Sequence, residues 1–195
     1  MRLMATNNHE PRQAEGADFI GSIRIGLDEA FTALLESFDG LADDQFHAWP
    51  LDGRHNIVTL VEHCIQALDL WACEVQGRAL VYEPEHRFDI VGRTAAEIRA
   101  GLEASGPLPT VVDERGRVER LRDAAMRHLE ATSPDDLTRP IPGCWWYDEN
   151  PGRTRADAYM RAIHHNSVHV RQIWALRDLL GAIDGGTAWP RQHWA

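Results

Sequence analysis

Residues 154–181, TRADAYMRAIHHNSVHVRQIWALRDLLG, decide the fold. Tyr159, Ile163, Val170, Ile173 and Leu180, with Asn166 among them, recur at three- and four-residue spacing, the period of a helix laid against a core. A helix is therefore expected from about Thr154 to Gly181. At about 100° per residue, His165 and His169 fall together on one flank of that face with Leu176, whereas His164 lands nearly opposite, beside Arg171 and Ala175. Two imidazoles four residues apart on one helix face can grip a single metal ion. His164 is expected in solvent.

A second long helix has the same design. It is expected from Asn56, a good N-cap, to Gly77, a good stop. Ile57, Leu60, Val61, Cys64, Leu68, Trp71, Ala72 and Val75 form its apolar stripe. His63 lies about 120° from the centre of that stripe, on a flank beside Leu60, Ala67 and Leu70. Two helices that each hold histidine at the edge of the core would make a site between them, with His63 as the third ligand.

Working outward, the first helix is expected from Asp18 to about Asp39, turning Phe19, Ile23, Leu27, Phe31, Leu34 and Phe38 inward, with Gly40 ending it. Thr94 and Glu97 make a capping-box pattern opening a short helix to about Ala104. A third long helix, Glu114 to Ala131, buries Val118, Leu121, Ala125 and Leu129. Residues 78–93 and 132–153 are expected as loops, with Trp145, Trp146 and Tyr147 either covering a pocket mouth or packed on the bundle. The reading is all-α: a four-helix bundle with long connecting loops and a short extra helix. At 195 residues and 44% hydrophobic content, the chain is long enough to bury roughly two thirds of its unfolded surface in one domain. Residues 1–16 are expected as a flexible tail, 17–181 as the bundle, and 182–195 as a C-terminal tail.

Charge and cysteine usage narrow the partners. Twenty basic residues against 30 acidic ones give a formal net charge of −10, and no basic face suited to a phosphate backbone is visible, which argues against nucleic acid. Every basic residue is arginine, so Schiff-base chemistry through a lysine is excluded. That bias suggests a GC-rich genome. Cys64, Cys73 and Cys144 cannot all pair within one chain and form no C-x-x-C motif, as expected of free thiols in a cytoplasmic protein. The N-terminal stretch lacks an apolar h-region, and no stretch approaches membrane-spanning length.

Three catalytic templates fail on the residues. A zincin needs Glu after the first histidine of the pair, where this chain has Asn166, Ser167 and Val168. A di-iron bundle wants two helical Glu-x-x-His motifs, and the single match, Glu83 to His86, contains Pro84 in an expected loop. Cys64 adjoins His63 in sequence but points into the core, about 100° away, as a packed apolar residue. His128, His47, His55, His9, His86 and His193 are expected in solvent. Asn166 and Gln172 either orient a ligand or fill a groove.

The segment from Trp49 to Trp71, containing NIVTLVEHCIQALDLW, resembles the second helix of the DinB/YfiT-like metalloenzymes, and IHHNSVHVRQIWALRDLLG resembles that family's last bundle helix. The family pattern, H-x-x-x-H followed shortly by Gln-Ile, is reproduced by His165, His169, Gln172 and Ile173. The resemblance covers roughly residues 17–181. It implies a four-helix bundle, often dimeric, with a divalent metal held by His63, His165 and His169. Arg171 stands where the family commonly has a small residue, on a face expected to be outside.

Three neutral imidazoles on zinc, nickel or iron leave a coordination position for water or substrate, the arrangement of catalytic sites. The reactive species is then expected to be a metal-bound water or thiolate. Relatives of the family implied by the resemblance act as thiol S-transferases or thiol-dependent isomerases with bacillithiol, mycothiol or glutathione. A metal-dependent hydrolase and a non-catalytic small-molecule-binding or stress-response bundle are the alternatives.

Overall fold

The computed structural model describes residues 12–51, 54–82, 93–104, 106–141 and 152–181. The expectations for Glu83, His86, Cys144, Trp145, Trp146, Tyr147, His9 and His193 fall outside these residues, as do those for both terminal tails apart from residues 12–16. The described residues are helical throughout their regular structure. In chain order they form α1 (Arg12–Phe38), α2 (Asp43–His47), α3 (Ile57–Ala72), a 3-10 turn at Glu74–Gln76, α4 (Ala95–Ala104), α5 (Val111–Glu130), α6 (Pro134–Leu137) and α7 (Arg155–Leu179).

Pairwise contacts give the directions of the four long helices. Asn166 Nδ2 donates to Ala30 O at 2.7 Å, and Arg177 Nη1 donates to Glu36 O and Ser37 O at 3.2 and 3.1 Å. Residue numbers rise together along both helices, so α1 and α7 are parallel. Gln76 Nε2 donates to Arg155 O at 3.2 Å, while His63 meets His165 nearer the other end, so α3 runs antiparallel to α7. Arg122 pairs with Asp28 and Arg115 with Asp39, which makes α5 antiparallel to α1. The order is up, down, down, up. Parallel α3 and α5 require a crossover that returns the length of the bundle, and α4 lies on it. Ile98 and Leu102 of α4 pack with Trp49 and Leu108 as a small cluster apart from the main core.

The core lies between α1, α3, α5 and α7. Ile23, Leu27, Phe31, Leu34 and Phe38 of α1 are buried, as are Leu60, Cys64, Leu68, Val118, Leu121, Leu129, Tyr159 and Ile173. Each such large apolar side chain contributes about 1.5–3 kcal/mol. Phe19 departs from expectation: it is 45% exposed. On the α1–α7 register it is level with the first turn of α7, where the bundle ends.

Element ends show which local signals operate. Asn56 Oδ1 accepts from Thr59 N at 3.2 Å, the cap expected at the start of α3. The α-helix stops at Ala72 rather than near Gly77, because Gln76 Nε2 donates to Trp71 O at 3.0 Å and the final turn tightens to 3-10 geometry. Gly77 then takes a left-handed φ of 74°. The α1 helix begins at Arg12, earlier than Asp18, since Gln13, Ala14 and Glu15 favour helix without adding an apolar period. α5 opens at Val111, three residues before Glu114, on a capping box between Thr110 and Asp113. The stretch expected as loop from 132 contains the single-turn α6, capped by Ser133 with Pro134 at its first position, which carries buried Leu137 into the core.

Candidate metal centre

The centre is built on the seam between α3 and α7. On α3, Leu60, Cys64, Leu68 and Trp71 are buried, which turns the intervening His63 toward α7. On α7, Tyr159, Asn166, Val170 and Ile173 are buried, and His165 and His169 occupy the flank facing α3. All three imidazoles are half-buried. His63 Nε2 lies 3.0 Å from His165 Nε2, which lies 3.2 Å from His169 Nε2. The ring centroids are 4.4–4.7 Å apart, and one nitrogen from each ring falls within 4.8 Å of the other two.

Protons alone do not satisfy this arrangement. A ring nitrogen carries either one proton or one lone pair, yet His165 Nε2 faces two other nitrogens at contact distance, so it completes at most one of the two hydrogen bonds well. A cation between the rings would accept all three lone pairs. For zinc with bonds of about 2.0–2.1 Å, the edge of a tetrahedral N-ligand set is about 3.3–3.4 Å, close to the observed contacts. The donor set and its spacing fit a metal ion.

The surroundings favour the lone-pair form. Burial, then the charges of His169, His63, Arg161 and His164, push the pKa of His165 down to about 3. Burial and His55 lower His169, while Gln172 opposes them. Gln172 Oε1 lies 2.7 Å from His169 Nδ1, and a carbonyl oxygen only accepts, so Nδ1 carries the proton and Nε2 is left with its lone pair turned inward. Gln172 thus orients a histidine, whereas Asn166 fills the α1–α7 groove.

Several neighbours correct the expectations. His55 is half-buried rather than fully in solvent, and burial lowers its pKa. His47 Nε2 donates to Pro109 O at 2.8 Å, tying α2 to the start of α5. His128 is half-buried, and burial and the nearby arginines Arg78 and Arg127 lower it. His164 and Arg171 are exposed, as expected. Trp71, placed by periodicity among the core residues, also walls the centre: its ring stands edge-on to His165 at 4.9 Å, with the Arg161 guanidinium over it at 5.6 Å. Burial holds the Cys64 thiol far above its ordinary value. Cys73 is pushed up to about 12 by burial and Asp69. A cavity of about 520 Å³, lined by Glu62, Leu108, Pro109, Thr110 and Arg117, opens on the α3–α5 seam, away from the histidines.

An all-helical bundle with three histidines gathered across one helix seam is the class of protein that this fold and site define. The chain belongs to the DinB superfamily, whose sequence profile matches residues 27–173. No curated protein matches the chain. Among solved structures it is similar to a conserved protein from Enterococcus faecalis, at 15% identity and a TM-score of 0.55, over 83% of this chain and 96% of that one. That likeness is one of fold. No described helix is long and apolar enough to cross a membrane.

Proposed function

We propose that His63, His165 and His169 hold one divalent cation such as zinc, nickel or iron, and that the protein is a metal-dependent enzyme acting on a small thiol. The reading is of an S-transferase or thiol-dependent isomerase using a thiol of the bacillithiol, mycothiol or glutathione kind. The observation that carries it is the convergence of three imidazole nitrogens from two helices within 4.8 Å of one another. A divalent cation on three neutral imidazoles supplies a Lewis acid with an open position, which favours ionisation of a thiol or water there.

The chain's own residues prepare the rest. His165 stays neutral through burial, so its lone pair is available at neutral pH. Gln172 holds the His169 proton on Nδ1. Trp71, 6% exposed, closes one side of the centre against water. Both described cysteines are buried with raised pKa values, so neither supplies a thiolate. In this reading the thiol is a small molecule. The test is turnover of monobromobimane or chlorodinitrobenzene with each thiol in turn. Thiol-dependent conjugation that disappears in His169→Ala, with an unchanged circular dichroism spectrum, is expected. Tight thiol binding without turnover would contradict it and favour a binding module.

A further inference from the structure

We propose that the cavity on the α3–α5 seam is a second ligand site, separate from the metal centre, and that it takes a small ammonium compound with a compact apolar body. Its volume of about 520 Å³ lies within the roughly 300–1,000 Å³ of small-molecule sites. Residues 62 and 63 follow one another on α3 and so point about 100° apart. His63 faces α7, whereas Glu62 is drawn toward α5 and forms part of the cavity wall. A further part of the wall is the chain between α4 and α5, with Pro107, Leu108 and Pro109. That chain is held in place before any ligand arrives. Pro109 O accepts from His47 Nε2 at 2.8 Å, Val111 N donates to Asp43 Oδ1 at 2.9 Å, and Leu108 packs with Ile98 and Leu102 of α4. The two prolines fix their own φ angles, so this apolar surface loses little freedom on binding.

Charge decides the sign of the ligand. Glu62 is 1% exposed; its Oε1 takes Arg117, and its Oε2 is buried with no donor among the described residues. A proton or a ligand's N–H must therefore serve that oxygen. Asp113, also on the wall, spends Oδ2 on the Thr110 cap, and its Oδ1 makes no hydrogen bond among the described residues. Against these acids the described lining offers one cation, Arg117, whose Nη1 is shared between Glu62 and Glu114. Arg120 is engaged at Tyr82, and Arg99 with Glu103. Three carboxyl groups thus gather around one guanidinium. Even with one proton among them the site keeps an excess of negative charge, which a cation neutralises and an anion would add to.

The test titrates n-butylamine into the isotopically labelled full chain at neutral pH and follows the amide resonances, with n-butanol and butyrate as neutral and anionic counterparts. Saturable shifts centred on residues 58–66 and 107–117 are expected. Butylamine should be favoured over butanol roughly tenfold, the worth of one charge-assisted hydrogen bond at a partly exposed site, with butyrate weaker still. Glu62→Gln removes the buried charge and should cut that preference several-fold. Leu108→Trp fills the cavity with every charge kept and should weaken all three ligands, which keeps the site testable if Glu62→Gln does not fold. Raised salt should narrow the wild-type preference. The site is overturned by the absence of saturable shifts with butylamine, by butyrate binding as well as butylamine, by unchanged affinity in Leu108→Trp, or by shifts centred instead on residues 163–172 of α7.

Discussion

Glu114 links the α3–α5 seam to a pH-dependent stability whose sign and slope follow from its surroundings. Glu62 and Glu114 are 1% and 0% exposed, and both reach the same Arg117 Nη1, Glu114 at 2.9 Å. Two carboxylates face one guanidinium, and the second oxygen of each is buried with no donor among the described residues. One proton shared between them removes the excess charge and satisfies both oxygens. Burial and the Glu62 charge push Glu114 up to about 8, against the pull of Arg117. The unfolded carboxyl releases its proton near pH 4.3, so between about pH 5 and 7.5 the folded state holds one proton more. Stability is therefore greatest below the unfolded pKa and falls as pH rises toward 8, with a slope of about 1.4 kcal/mol per pH unit. Glu114→Gln replaces the shared proton by a permanent amide donor and removes the slope. Urea unfolding at pH 5.5, 6.5 and 7.5 reads it directly. Across those two units wild type should lose about 2–3 kcal/mol more than the variant. Histidine contributions are common to both proteins and cancel in the difference. A wild-type-minus-variant difference that stays constant with pH would refute the shared proton.

Other consequences are local. Asn166→Ala removes the buried hydrogen bond to the Ala30 carbonyl, which α1 still pairs within the helix; it should cost about 0.5–1.5 kcal/mol, read as a fall in Tm of a few degrees. Gln172→Ala frees the His169 tautomer and should weaken metal affinity by roughly 10–100-fold with the fold intact, measured by competition with a chromogenic chelator. Unchanged affinity would return Gln172 to a surface role. Thr110→Ala removes the side-chain half of the α5 capping box, leaving the backbone N–H of residue 110 to donate to Asp113, and should cost about 1 kcal/mol in denaturant unfolding; no loss would mean that Asp43, which accepts from Val111 N at 2.9 Å, already holds that end.

What could be read from the residues follows from the strength of each signal. α3 and α7 combine a long apolar period with a side-chain cap, Asn56 or Thr154, and both were legible, along with the flank on which His63, His165 and His169 meet. The start of α5 lay hidden in Thr110 and Asp113, whose capping box uses Asp where Glu or Gln is the commoner partner. α6 carries only one buried apolar residue, Leu137, too few for a period. Buried charge was not legible at all. Arg177 sits 7% exposed because its guanidinium caps the last carbonyls of α1, and Asp69 is enclosed because it gathers the backbone N–H groups of the returning chain. Both depend on partners distant in sequence. The half-burial of His55 was missed because it stands just before the α3 cap and belongs to no helical period.

The central claim is that three histidines on two helices form one metal site, and metal content tests it most directly. Untagged wild type, His63→Ala and His165→Ala are purified side by side and their metals counted by mass spectrometry after reconstitution. The account predicts close to one divalent ion per wild-type chain and its loss from both variants, each on a different helix. No metal in wild type, or retention in either variant, would contradict it.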